Sequence, residues 1–136
     1  MLMDYRGADR FPKRNPSWVK RFIHAIHGIL YGFQTEKNFR FHVIAAIIVM
    51  LVAFLLQISR LEWICVLFAI GIVMGAELLN SAIERTVDLV TEEFHPLAKS
   101  AKDLAAGAVF VVSMIAALIG ICIFGPYVVQ WISILK

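Results

Sequence analysis

Five polar residues between positions 77 and 88 have the types and the spacing to do chemistry. Glu77, Asn80, Ser81, Glu84 and Asp88 lie within and just beyond a long apolar stretch. On a helix turning about 100° per residue, offsets of seven and eleven return to within about 20° of the start, which puts two further acids, Glu84 and Asp88, on the stripe that begins at Glu77. Glu77 comes about fourteen residues after Trp63 in mostly apolar sequence, where an ionisable group costs roughly 2–3 kcal/mol or more unless it faces protein or a wet cavity. Side chains kept at that cost usually act on something. They could handle a proton, a metal and a phosphate, or they could form a polar seam in which Asn80 and Ser81 bond across a helix interface. Both uses can hold together.

Glu36 on one side of the chain and Lys99, Lys102 and Asp103 on the other should reach the same membrane face. Carboxylates at one site repel, so a hard divalent cation such as magnesium, shared with phosphate oxygens, is their natural partner. The lysines suit nucleotide phosphates. The sequence has no GxxxxGK[ST] loop, Gly-rich kinase loop or HRD/DFG set, so phosphoryl transfer here would belong to neither common class.

The elements that must position these residues are helices in a bilayer. Of 136 residues 60% are hydrophobic and 17% charged, far from the composition of a water-soluble domain. Residues 1–16 are polar and basic with Pro12 and Pro16, and are expected to be a flexible tail; they lack the apolar core and cleavage site of a secretory signal. From Ser17, a candidate N-cap, Trp18, Phe22, Ile26, Ile29 and Phe33 recur every three or four residues opposite Lys20 and Arg21, which predicts an amphipathic interfacial helix over 17–36. Three spans follow, at 39–58, 62–90 and 104–124, the second being one long helix that leaves the membrane around Glu84 to Asp88. Pro96 reads as a breaker in the linker before the third span, and Gly125–Pro126 leaves the course of the last residues open between a kinked helix and a segment along the far interface. The basic residues concentrate before the first span and in the linker at 84–103, which places the N-terminus and the acidic stripe on the cytoplasmic side. The net charge of +3 therefore reports topology and not nucleic-acid binding.

Other features carry less. Cys65 and Cys122 lie in apolar runs without ligand spacing and read as small hydrophobes. His24 and His27 are one turn apart with no third ligand, His95 before Pro96 reads as a turn cap, and Gly71 with Gly75 makes a GxxxG that could let helices approach. Trp18, Trp63, Tyr127 and Trp131 read as interface anchors.

The stretch AELLNSAIERTVDLVTEEFHPLAKSAKDLAAGAV, with TEKNFRFH at 35–42, resembles the small prokaryotic integral membrane diacylglycerol kinase family over roughly Trp18 to Phe124. EFHPLAKSAKDLAAGAV is more similar to the undecaprenol kinase branch of Gram-positive bacteria than to the diacylglycerol kinase branch. The resemblance implies an all-α membrane protein, an interfacial helix plus three transmembrane helices in a homotrimeric bundle, with 17–136 as a single kinase domain in the bacterial cytoplasmic membrane. Its active sites would form between subunits and would use ATP and Mg2+ to phosphorylate a lipid alcohol, undecaprenol or, as the alternative, diacylglycerol. Residue by residue, Glu77 aligns with the catalytic base and Glu36 and Glu84 with the metal-binding pair, which also meets the nucleotide. Asn80, Asp88, Lys102 and Asp103 align with residues that contact nucleotide or hold the site. Leu30 departs from the pattern, standing where relatives often have an arginine. A non-enzymatic membrane subunit is the alternative from another class, though acids and lysines at one face exceed what helix assembly requires.

Overall fold

The computed structural model describes residues 17–91 and 93–134, so the expected tail at 1–16 and the terminal Lys136 lie outside the described residues. The rest forms four helices: α1 Trp18–Thr35, α2 Lys37–Leu55, α3 Arg60–Val90 and α4 Pro96–Ile134. The last three are long and apolar enough to cross a membrane. The protein is all-α, with an amphipathic helix ahead of three spans.

The α1–α2 corner is a single residue wide. Glu36 adopts an extended conformation (φ −99°, ψ 118°) between the two helices. Arg40, on the first turn of α2, reaches back and donates from Nη1 to the carbonyls of Gln34 (2.9 Å) and Phe33 (3.4 Å). Those carbonyls belong to the last turn of α1 and have no helical partner, so the guanidinium caps that helix and fixes the angle of the corner. At its other end α1 starts after Ser17 as expected, but the Ser17 side chain makes no capping hydrogen bond.

α1 lies against α3 at Gly32, the buried residue of α1. A Cβ built there would stand 2.8 Å from Leu78 Cδ2, so the absence of a side chain allows this approach. Phe39, at 1% exposure, is packed nearby and anchors α2 to the same junction.

The α2–α3 turn at the opposite end is held by chemistry of its own. Gln57 takes a left-handed conformation (φ 52°) to reverse the chain. Ser59 then caps α3 in a reciprocal box: its backbone N–H donates to Glu62 Oε2 (2.7 Å), and the Glu62 N–H donates to Ser59 Oγ (3.4 Å). Beneath the turn Ala53, Ile58, Val66 and Ile123 form the hydrophobic cluster that joins α2, α3 and α4, with Trp63 packed against it.

α4 differs most from the sequence expectation. Pro96 stands at its first helical position and breaks nothing, because a proline there gives up an N–H that would be unpaired anyway. His95 completes the start as the turn cap expected of it, its Nδ1 accepting from the Leu97 N–H at 3.2 Å. Most of the linker read at 84–103 is therefore helix, and the span read at 104–124 is the middle of a longer rod. At the far end the helix continues through Gly125–Pro126 to Ile134 and settles that open question as continuous helix. At about 1.5 Å per residue the 39 residues run close to 58 Å, well beyond a hydrocarbon core of about 30 Å.

α3 and α4 make the most extensive helix pair. Even so, only 6% of the most apolar stretch of α4 is buried within the chain. Gly71 and Gly75 meet nothing within 4 Å, so the GxxxG serves no contact inside one copy.

Candidate active site

The stripe on α3 is buried where it begins and opens toward its end. Glu77, Asn80 and Ser81 are the buried polar residues of the described chain, at 3%, 7% and 7% exposure, whereas Glu84 is half-buried and Asp88 exposed. Burial of Glu77 requires no second copy, since the α1–α2 corner of the same chain covers it. The groups acting on its carboxyl are His42, Glu84 and Glu36, with the Asn38 amide beside it, so residues from α2, α3 and the corner converge there.

Helix geometry accounts for the internal bonds. Ser81 Oγ donates to the Glu77 carbonyl one turn back at 3.0 Å, and Asn80 Nδ2 donates to Glu84 Oε1 one turn ahead at 3.0 Å. The other end of the same amide, Asn80 Oδ1, is buried with no hydrogen-bond partner. A buried acceptor left unpaired costs about 1–3 kcal/mol, a cost native structures rarely carry without use.

Arg85 organises the exposed side of the site. Its Nη2 and Nε donate to Glu36 Oε1 at 2.6 and 3.2 Å, Nη1 donates to Tyr31 Oη at 2.8 Å, and Nη2 also donates to Thr35 Oγ1 at 2.9 Å. The guanidinium carbon lies 4.7 Å from the centroid of the Tyr31 ring. Sequence reasoning missed Arg85 and its contacts with Glu36, Tyr31 and Thr35. One signal was available: Arg85 is the only Lys or Arg between Arg60 and Lys99, and it directly follows Glu84 at the end of the polar stripe. Nothing in the sequence pairs it with Tyr31 or Thr35, roughly fifty positions earlier.

The remaining candidates stand further along. Lys102 Nζ donates to Asp88 Oδ1 at 2.5 Å, tying α4 to α3, and Lys99 pairs with Asp103 one turn ahead on α4. The structure thus brings Glu36, Glu77, Asn80 and Glu84 to one junction and gathers Asp88, Lys102, Lys99 and Asp103 into ion pairs where α3 meets α4. Among the described residues no group of three or more His, Cys, Asp or Glu side chains is arranged to hold a metal, so any cation here needs oxygens from elsewhere. An apolar groove of about 380 Å³ runs between α2, α3 and α4 past Ala46, Val73, Ala116 and Phe124, and its lining includes His42, the neighbour of Glu77.

Known proteins share this arrangement of sequence. The family model described as prokaryotic diacylglycerol kinase matches residues 23–124. The undecaprenol kinase of Bacillus subtilis (strain 168) is 50% identical over 109 residues, which cover 80% of this chain and 89% of that protein. The diacylglycerol kinase of Pseudomonas aeruginosa is 40% identical over 104 residues (74% and 85%), and that of Synechocystis 38% over 112 residues (82% and 64%). The match takes in the α1–α2 corner, the stripe on α3 and the first part of α4, and by it the chain belongs to the prokaryotic diacylglycerol kinase family.

Proposed function

We propose that this protein transfers the γ-phosphoryl group of ATP to the hydroxyl of undecaprenol, giving undecaprenyl phosphate at the cytoplasmic face of the bacterial membrane. The observation that carries the reading is the junction of Glu77, Asn80, Glu84 and Glu36, a buried carboxylate beside an unpaired amide oxygen and two further acids, in a chain whose relatives are named kinases. A non-enzymatic subunit would have no need of it. The choice of undecaprenol rests on the 50% identity to the Bacillus subtilis enzyme, against 40% and 38% to the two diacylglycerol kinases.

Glu77 is assigned the role of general base. In its buried position the carboxylate takes the proton of the lipid hydroxyl as that oxygen forms its bond to the γ-phosphorus, while the bond from that phosphorus to the β-bridging oxygen breaks and ADP leaves. The donor set suits magnesium: every candidate atom is an oxygen, from Glu36, Glu84 and the unpaired Asn80 Oδ1, and the phosphates would complete a coordination shell that the protein alone cannot fill. Magnesium, when bound, would neutralise charge on the phosphates. Asp88, Lys102, Lys99 and Asp103 then border the nucleotide side of the site. The apolar groove that reaches His42 would take the hydrocarbon chain, so the lipid need not leave the bilayer to present its hydroxyl near Glu77. α1, held over α3 at Gly32 and Arg85, shields the reacting group from water and favours transfer to lipid over ATP hydrolysis. Assembly as a homotrimer in the membrane is part of this reading, with Gly71 and Gly75 of α3 free of contacts within the chain and so open to the close approach of a helix from another copy.

The test is phosphate transfer from ATP by the purified protein to undecaprenol and diacylglycerol presented side by side in the same mixed micelles. The expected result is a rate on undecaprenol at least tenfold higher. Equal rates, or a preference for diacylglycerol, would replace the substrate, and no transfer to either lipid would remove the kinase reading.

A further inference from the structure

The three side-chain donors around Glu36 all converge on one oxygen. Arg85 Nε, Arg85 Nη2 and Thr35 Oγ1 each bond Oε1, and no described residue donates to Oε2. An arginine facing a carboxylate commonly engages both oxygens in a fork, which would close the acid to any other cation. Here the guanidinium approaches from one side only: Nη1 donates to Tyr31 Oη, Nη2 also donates to Thr35 Oγ1, and its face lies on the Tyr31 ring. The Glu36 side chain is therefore fixed by one oxygen and free at the other.

We infer that Arg85 is a positioning residue for the metal–nucleotide: it holds Glu36 by Oε1 so that Oε2 is presented to magnesium, and Tyr31 and Thr35 keep the guanidinium in the orientation that leaves Oε2 open. The inference rests on the assignment of Glu36 to the metal. Its physical basis is general. A carboxylate that binds a cation through one oxygen is set in place by hydrogen bonds to the other, and loss of such a bond commonly weakens metal affinity tenfold to a hundredfold. Glu36 has particular need of this support, being the one non-helical residue at the α1–α2 corner and on a different element from Glu84. The same contact ties α3 to α1, so the acid and the helix that shields the site are set by one side chain.

The experiment measures binding of a non-hydrolysable ATP analogue to the full-length purified protein in lipid nanodiscs while magnesium is titrated, with steady-state kinetics alongside. Arg85→Ala should raise the magnesium concentration at half-maximal binding at least tenfold and should raise the apparent KM for nucleotide more than it lowers kcat. Arg85→Lys cannot serve Glu36, Tyr31 and Thr35 together and should recover only part of the shift. Tyr31→Phe leaves Arg85 and Glu36 in place and removes one orienting bond, and it should shift the midpoint in the same direction by about twofold to fivefold, which keeps the test decisive if Arg85→Ala does not fold. Unchanged magnesium midpoints in folded Arg85 and Tyr31 variants would overturn the inference while leaving the kinase reading intact. Absence of magnesium-dependent nucleotide binding in the unaltered protein would instead remove the metal assignment on which it rests.

Discussion

The two ends of α3 carry polar clusters of similar make-up and opposite character. At the start, Ser59, Glu62 and Tyr127 form a closed set: the capping box satisfies Ser59 and Glu62 reciprocally, and Tyr127 Oη donates to the same Glu62 Oε2 at 3.0 Å, tying α4 to the turn. Toward the other end, Glu77, Asn80, Glu84, Arg85 and Glu36 form an open set, with Asn80 Oδ1 buried and unpaired and Glu36 Oε2 receiving no described donor. Both clusters rest on carboxylate hydrogen bonds that join different helices, and the open one adds an amide and a guanidinium. What separates them is whether the chain supplies every partner. A closed cluster gives stability and specifies a turn; an open one retains bonding capacity that the chain itself does not meet.

This contrast can be broken at either end, and the largest effect is expected in the open cluster. Glu77→Gln keeps the volume and removes the base, so lipid phosphorylation should fall at least a hundredfold, within the roughly 10²–10⁴ that a general base contributes, while the protein remains folded by circular dichroism. Retention of more than a tenth of the activity would end the base assignment. Asn80→Ala removes both the bond to Glu84 and the unpaired oxygen, and should lower the transfer rate by about tenfold to a hundredfold in the manner of a lost supporting contact. Because it also relieves an unsatisfied acceptor, the melting temperature in detergent should change little. A large loss of stability with normal turnover would make Asn80 part of a structural seam.

The closed cluster should respond in the reverse sense. Tyr127→Phe removes one hydrogen bond at the α3–α4 contact and should cost about 1 kcal/mol of stability, read as a lower thermal midpoint, with phosphate transfer and its magnesium dependence unchanged. A change in magnesium dependence would show that the two ends are coupled. The smallest effect is expected where α1 crosses α3. Gly32→Ala places a methyl against the flexible end of Leu78, so a mild loss of transfer, about twofold, should be recovered by adding Leu78→Ala, which vacates that space. Recovery identifies the crossing as a packing contact, and failure to recover would assign Gly32 a role in the backbone itself.

The spans were legible in the sequence because hydropathy and length decide them with little tertiary input, and the amphipathic α1 followed from its period. The shared stripe from Glu77 to Asp88 was legible for the same reason, since it depends only on the turn of one helix. Boundaries set by local chemistry were harder. Pro96 reads as a breaker until its place at the first helical position is known, and Pro126 does not interrupt α4, because its effect depends on surroundings that hydropathy does not describe. Contacts between distant segments were the least visible. Arg85 stands next to Glu84 in the sequence, yet its use is set by Tyr31, Thr35 and Glu36, which the α1–α2 corner returns to it. The pairing of Tyr127 with Glu62 was hidden in the same way, and Tyr127 read only as an interface anchor.

The central claim is that the metal–nucleotide occupies the open end of α3, and its location can be measured directly. Manganese replaces magnesium with a non-hydrolysable ATP analogue on isotopically labelled protein in nanodiscs, and paramagnetic broadening of backbone resonances is recorded residue by residue. The account predicts that signals at 35–38 and 77–88 broaden first, with 99–103 next, while those of 57–62 and Tyr127 keep their width. Broadening centred on the Ser59–Glu62 end, or spread evenly over both ends of α3, would contradict it.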